Sequence, residues 1–189
     1  MAAAYGGLNR IDFKDNDFSV HPIIISPERK KELDNNLLLF YTGVQRFSSE
    51  IQADTFGKPV DKTQQLKDML ALVDEAEKVL TNKDISLNEF GKLLDTTWRL
   101  KRGTGSKISN GSIDEIYDTA IKAGAFGGKL LGAGGGGFLL FYCEKEKQVN
   151  LKKVLDKLMI VPFNFENDGA QVLYYAPQSY SPRKEFLLR

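Results

Sequence analysis

The segment Gly124 to Phe138 reads GAFGGKLLGAGGGGF and places four glycines in a row, Gly134 to Gly137. Glycine lets the backbone bend sharply and approach a ligand closely. Successive free amide N–H groups in such a bend form an anion-binding concavity. Ordering a glycine run costs conformational entropy, which argues against filler. Phosphate is the anion these features suit. The run lacks the Lys-Ser or Lys-Thr that closes the GxxxxGK[ST] loop. It also reverses the dinucleotide fingerprint, in which a strand precedes the glycines and a helix follows. A tight turn packed against a neighbouring element explains the glycines as well, and the residues alone leave both readings open.

Other side chains could complete an anion site. Lys129 lies inside the segment, either as a charge-assisted contact to phosphate or as a solvated surface lysine. Arg99, Lys101, Arg102 and Lys107 form a basic stretch, with no acidic residue between Thr96 and Ile113. It is a solvated face or a loop that meets a phosphorylated substrate. Thr42, Gly43 and Arg46 follow the apolar run LLLFY, where a strand end can present groups to a ligand. His21 and Cys143 have no second His or Cys to work with. A metal or triad role is therefore not assigned to His21, and Cys143 reads as buried filler at the end of an apolar run. One cysteine excludes an intramolecular disulfide framework and fits a reducing compartment.

These residues need elements to position them. Leu8–Phe13 and Phe18–Ile25 alternate as strands around the polar turn Lys14–Asp17. Leu37–Tyr41 reads as a buried strand, and Gln45 to about Phe56 as a helix ended by Gly57-Lys58-Pro59. Three helices follow. The first presents Leu66, Met69, Leu70, Val73, Ala76, Glu77 and Leu80 on one face. The second opens with a Ser86/Glu89 capping box ahead of Phe90, Leu94 and Trp98. The third opens with Ser112/Glu115 and buries Ile113, Ile116, Tyr117, Ala120 and Ile121, running straight into the glycines. Phe138–Cys143 is a strand. Lys147–Met159 is a helix with Leu151, Val154, Leu155 and Leu158 inward, and Pro162–Phe165 and Gln171–Tyr175 form a hairpin around Asn167-Asp168-Gly169. Strands, then helices, then strands predict an α+β fold, an antiparallel sheet with helices packed on one face.

Composition limits the function classes. The 189 residues carry 26 basic and 25 acidic side chains, a net charge of +1 that gives no electrostatic reason to bind nucleic acid. No apolar run reaches the roughly 20 residues a membrane span requires, and the N-terminus MAAAYGGLNRIDF lacks the basic and apolar regions of a signal peptide. An RNA-binding sheet would need an aromatic pattern that Phe138, Phe141 and Tyr142 do not supply.

GAFGGKLLGAGGGGF closely resembles the third signature motif of the GHMP small-molecule kinases. AAAYGGLN, LLLFYTGVQR, TTWRLKR and ISNGSIDEIY are similar to the heptose 7-phosphate kinases of that family, so the resemblance covers nearly the whole chain. It implies an ATP- and magnesium-dependent cytoplasmic, bacterial enzyme that phosphorylates the anomeric hydroxyl of a heptose 7-phosphate. It also implies a ferredoxin-like C-terminal domain. The motif's phosphate-binding role would fall to Gly132, Ala133, Gly134, Gly135, Gly136 and Gly137, with Lys129. Thr42, Gly43, Arg46, Lys101 and Arg102 are the candidates for the phosphosugar. No residue here is assigned a catalytic or metal-binding role. The family's GLGSSA nucleotide loop, its magnesium ligand and its catalytic aspartate belong to an N-terminal domain, and nothing like GLGSSA occurs here. The expected organisation is residues 1–36 as strands remaining from that domain, 37–176 as the C-terminal domain and 177–189 as a tail. Such a chain is expected to be inactive by itself and to need the N-terminal domain as partner. Two alternatives remain: a stand-alone phosphosugar-binding or regulatory domain, and a kinase for a neutral sugar such as galactose or fucose.

Overall fold

The computed structural model describes residues 1–44, 62–105, 108–132 and 134–175. The predicted helix from Gln45, the candidate Arg46, Lys107, Ala133 and the tail 177–189 lie outside the described residues. Two compact units emerge, Met1–Pro22 together with the segment from Phe165, and Ile23–Asn164.

In the first unit, helix α1 (Ala2–Tyr5) precedes strands β1 (Asn9–Lys14) and β2 (Asp17–Pro22). They pair antiparallel with Lys14 opposite Asp17, so the hairpin turns within the polar segment read from the sequence. The Asp-Gly hairpin does not form. Gly7 N–H donates to the Glu166 carbonyl and Ala170 N–H to that of Ala4. Gly6 and Gly169 allow this close approach: a Cβ on Gly6 would strike the Asp168 backbone, and one on Gly169 the backbone of Ala4 and Tyr5. Residues 165–170 thus bond to the N-terminal segment instead of pairing with Gln171–Tyr175.

The second unit contains helix α2 (Pro27–Asn36), strand β3 (Leu37–Tyr41), helices α3 (Thr63–Thr81), α4 (Asn88–Gly103) and α5 (Gly111–Lys122), strands β4 (Gly127–Leu130) and β5 (Phe138–Tyr142), helix α6 (Lys145–Val154) and strand β6 (Met159–Val161). The sheet order is β4-β5-β3-β6, antiparallel at every pairing. A split β-α-β-β-α-β order of this kind is the ferredoxin-like arrangement. Leu38, Phe40, Leu130, Leu139 and Phe141 share one sheet face and pack with Ile113, Tyr117 and Ala120 of α5 and Leu151 of α6. Arg29 of α2 donates to the carbonyls of Leu80 (2.7 Å) and Val79 (2.5 Å) at the end of α3, and to Ile85 (2.7 Å). A cation there satisfies carbonyls that the helix cannot.

Several elements depart from the sequence reading. Strand β4 was not foreseen, because two of its four residues are glycines and strand propensity ignores them. Packing demands them. A Cβ on Gly127 would meet the Gly91 carbonyl and Asp95 of α4, and one on Gly128 the Leu140 carbonyl and Phe141 ring. In α3, Leu80 is buried as expected, but Leu66, Leu70 and Val73 are exposed and the neighbouring Val79 is buried, so the inward face is rotated in part from the expected one. Asn110, not Ser112, caps α5: its Oδ1 accepts from Ile113 N–H at 3.0 Å. At α4, Ser86 Oγ accepts from Asn88 N–H at 3.2 Å, and Glu89 turns to Lys92 rather than closing a capping box. Helix α6 ends at Val154, Val154 itself is exposed, and Met159–Val161 leave helix to pair with β3.

Phe141 is fully buried on the central strand β5. Phe141→Ala should cost about 3–5 kcal/mol in urea unfolding. Burial pushes the Cys143 thiol up to about 11. Cys143 should therefore resist maleimide at neutral pH in the folded chain and react only once unfolding exposes it.

Candidate functional site

The glycine segment is the hairpin loop between β4 and β5, with Leu131 N–H donating to the Phe138 carbonyl at 2.8 Å across its base. Neighbouring residues hold it at three places. On one side Gly135 N–H donates to the Ile108 carbonyl at 2.8 Å, and Asn110 Nδ2 lies 3.5 Å from the Gly135 carbonyl. On the other side Gly137 N–H donates to the Val44 carbonyl at 2.8 Å. Thr42 there donates to the Gly137 carbonyl through both N–H (2.8 Å) and Oγ1 (2.9 Å), and Oγ1 also accepts from Gly137 N–H at 3.1 Å. At the loop's start, Lys101 Nζ donates to the Gly132 carbonyl at 2.5 Å. Two glycines show why side chains are excluded. Gly134 has φ +123° and would drive a Cβ into the Ile108 backbone, while one on Gly136 would meet the Val44 carbonyl.

The amides of Gly135 and Gly137 are therefore engaged by the protein, which corrects the expectation of an entirely bare run. Those of Gly132, Gly134 and Gly136 have no partner among the described residues. The result is a loop fixed from both flanks with alternate donors unpaired among the described residues, and such donors suit an oxyanion.

Charges sort themselves around the loop. Arg102 Nη1 donates to Asp114 Oδ1 at 2.8 Å, and Ser109 Oγ donates to the same oxygen at 2.6 Å. Arg99 Nε donates to Asp95 Oδ2 at 2.7 Å, and Tyr117 Oη donates to Asp95 Oδ1 at 2.7 Å while lying 3.2 Å from the Gly128 carbonyl. Burial and the Asp95 carboxylate push the Tyr117 phenol well above its ordinary range, so Tyr117 serves as a fixed strut beneath β4. Burial lowers Lys129, and burial together with the Lys129 charge lowers Lys101.

Comparison with known proteins agrees with this geometry. Residues 71–160, from α3 into β6 and including the loop, match the family model for the GHMP kinases' C terminal. Over those residues the chain is similar to the GHMP kinase C-terminal domain. It is 32% identical over 176 residues to D-glycero-alpha-D-manno-heptose 7-phosphate kinase of Campylobacter jejuni, covering 90% of this chain and 51% of that protein. A crystal structure of a putative sugar kinase from Campylobacter jejuni superposes with a TM-score of 0.61 at 29% identity, over 89% of this chain and 48% of that one. A crystal structure of mevalonate kinase gives 0.68 at 28% identity, over 87% and 49%. The chain spans about half the length of the relatives it matches.

The structure brings together Gly132, Gly134, Gly135, Gly136, Gly137, Thr42 and Lys101 around one loop. Lys129 sits on β4, the strand that enters it. Gly43, with φ +73° and no described atom within 4 Å of where its Cβ would stand, adjoins the Thr42 anchor. Thr42 and Arg102 prove engaged: the Thr42 hydroxyl holds Gly137 and Arg102 holds Asp114, so both position the site instead of offering free groups to a ligand. Asn110, Asp95 and Tyr117 were missed as supports. Only Asn110 carried a signal, since Asn ahead of Gly-Ser at a helix start is a capping pattern. Thr42→Val should cost about 1–3 kcal/mol by stranding the Gly137 groups. It should also accelerate hydrogen exchange at Gly137 while leaving Ile113 in α5 unchanged.

Proposed function

We propose that this chain forms the glycine-rich wall of an ATP-dependent sugar kinase. Its reaction is phosphoryl transfer to the anomeric hydroxyl of D-glycero-D-manno-heptose 7-phosphate. One observation carries the reading: a hairpin loop clamped by Thr42, Val44 and Ile108 whose amides at Gly132, Gly134 and Gly136 have no partner among the described residues. The name of the Campylobacter jejuni relative supports the sugar. Phosphoryl transfer depends on positioning and on donors placed where charge develops, and rigid backbone amides supply both without reorganising.

The described residues fit one part of such a site. They contain no group of three His, Cys, Asp or Glu side chains suited to magnesium. The nearby carboxylates of Asp95 and Asp114 already hold Arg99, Tyr117, Arg102 and Ser109. Magnesium, when bound, would neutralise charge on the nucleotide phosphates, and no metal-holding or proton-accepting role is assigned to residues of this chain. Its own contribution is to fix the loop through Thr42, orient the substrate's oxygens on open amides, and exclude side chains from the turn. The metal-holding and base-bearing functions are assigned to a partner domain of the GHMP kinase N-terminal type.

Heptose 7-phosphate titrated into the ¹⁵N-labelled chain should shift the amides of Gly132, Gly134 and Gly136 more than those of Gly135 and Gly137. Shifts confined to other parts of the chain would refute the proposal. The 189-residue chain alone should show no phosphorylation of heptose 7-phosphate by ATP, because enzymatic accelerations of about 10⁶-fold or more need the complete constellation. Measurable turnover would overturn that division of labour.

A further inference from the structure

The central strands β3 and β5 read LLLFY and FLLFY, apolar at every position. A strand with one solvated face alternates apolar and polar residues, whereas a continuous apolar run belongs to a strand covered on both faces. Helices α5 and α6 cover the face that carries Leu38, Phe40, Leu139 and Phe141. On the opposite face the register lines up three rows. Gly127, Tyr142 and Leu37 make the first, and all three are buried. A Cβ on Gly127 would strike Gly91 and Asp95 of α4, and the Tyr142 hydroxyl accepts from Asn36 of α2 at 3.0 Å. The second row is Lys129, Leu140, Leu39 and Val161, and the third is Phe138, Tyr41 and Met159. None of these seven is buried, and Phe138 and Met159 are 38% and 60% exposed.

The face itself says what fits it. Its second row crosses four strands, about 14 Å at about 4.8 Å per spacing, which is wider than a sugar ring and suits the packing side of a folded layer. Six of the seven residues are apolar, and the seventh, Lys129, has no ion pair among the described residues. Covering that ammonium without a counter-ion is costly, so the covering layer carries a carboxylate opposite it. A second copy of this chain does not meet that requirement, because the face holds no acidic residue to offer the other copy's lysine. The third row also borders the loop clamp: Tyr41 precedes Thr42, and Phe138 follows Gly137. A layer seated there stands directly against the glycine loop.

We propose that this open sheet face is the docking surface for the metal-holding, base-bearing domain, which presents an apolar layer with one carboxylate opposite Lys129. The partner's identity rests on the kinase reading, and the face rests on register and exposure alone. The chain spans 51% of the Campylobacter jejuni relative, whose other half is large enough to supply such a layer.

That other half is joined to this chain, and Met159→Cys and Val149→Cys are labelled with maleimide in the chain alone and in the joined protein, read peptide by peptide by mass spectrometry. Val149 is exposed on α6, in the helical layer on the far side of the sheet. Met159→Cys should label readily in the chain alone and about tenfold or more slowly in the joined protein, with Val149→Cys unchanged. Lys129→Glu should restore labelling of Met159→Cys in the joined protein, and Lys129→Arg should not. Cys143 should stay unreactive in the Lys129→Glu chain, the sign of an intact core. Equal labelling of Met159→Cys in both proteins overturns the docking surface; if that joined protein still phosphorylates heptose 7-phosphate, the kinase reading survives. Slowed labelling without phosphorylation keeps the surface and sinks the kinase reading. Protection in the chain alone, at a concentration where sedimentation gives a doubled mass, assigns the face to a second copy and overturns the proposal. Protection that survives Lys129→Glu overturns the opposing carboxylate.

Discussion

The Thr42 hydroxyl and the Gly137 peptide group make a reciprocal contact in which oxygen donates to the carbonyl and accepts from the N–H. The sheet's central pairing ends at this point: Tyr41 pairs with Phe138, and the next residue on each strand is Thr42 or Gly137. The contact thus carries the order of the β3–β5 ladder one step further, into a loop that glycine would otherwise leave disordered. Val44 and Ile108 extend the same constraint along both flanks. A backbone cradle is useful only when its donors are fixed before the ligand arrives, since each residue ordered afterwards would cost about 1–2 kcal/mol.

That constraint accounts for the sequence on either side. Gly127 and Gly91 let β4 and α4 approach closely, which brings Lys101 at the end of α4 to the start of the loop. Asp95 and Tyr117 brace the same junction from α4 and α5. The Asn110 side chain serves both the start of α5 and the flank of the loop. Apolar packing of Phe40, Leu139 and Phe141 against α5 and α6 sets the frame, and polar contacts set the position of the loop within it.

Much of this was legible in the residues. LLLFY and FLLFYC are short apolar runs that could only be buried strands, and the apolar face of α5 has clear helical periodicity. The glycine run marked the site because glycines seldom gather without a steric reason. Strand β4 was hidden since its glycines answer to α4 and Phe141, neighbours that no local window contains. The turn at Asn167-Asp168-Gly169 misled for the converse reason: its local preference for a hairpin yielded to bonds with Ala4 and Gly7. Arg102 and Lys101 are adjacent in sequence and look alike there, yet one is paired with Asp114 and the other donates to the Gly132 carbonyl. Only the fold separates them.

Amide hydrogen exchange on the folded chain, resolved residue by residue across the β4–β5 loop, is the most direct test of a cradle built in advance. Gly135 and Gly137 should be protected in the ligand-free chain while Gly132, Gly134 and Gly136 exchange freely, and heptose 7-phosphate should protect those three. Uniformly fast exchange across the loop before ligand, or protection of Gly134 and Gly136 without it, would contradict a preformed anion site.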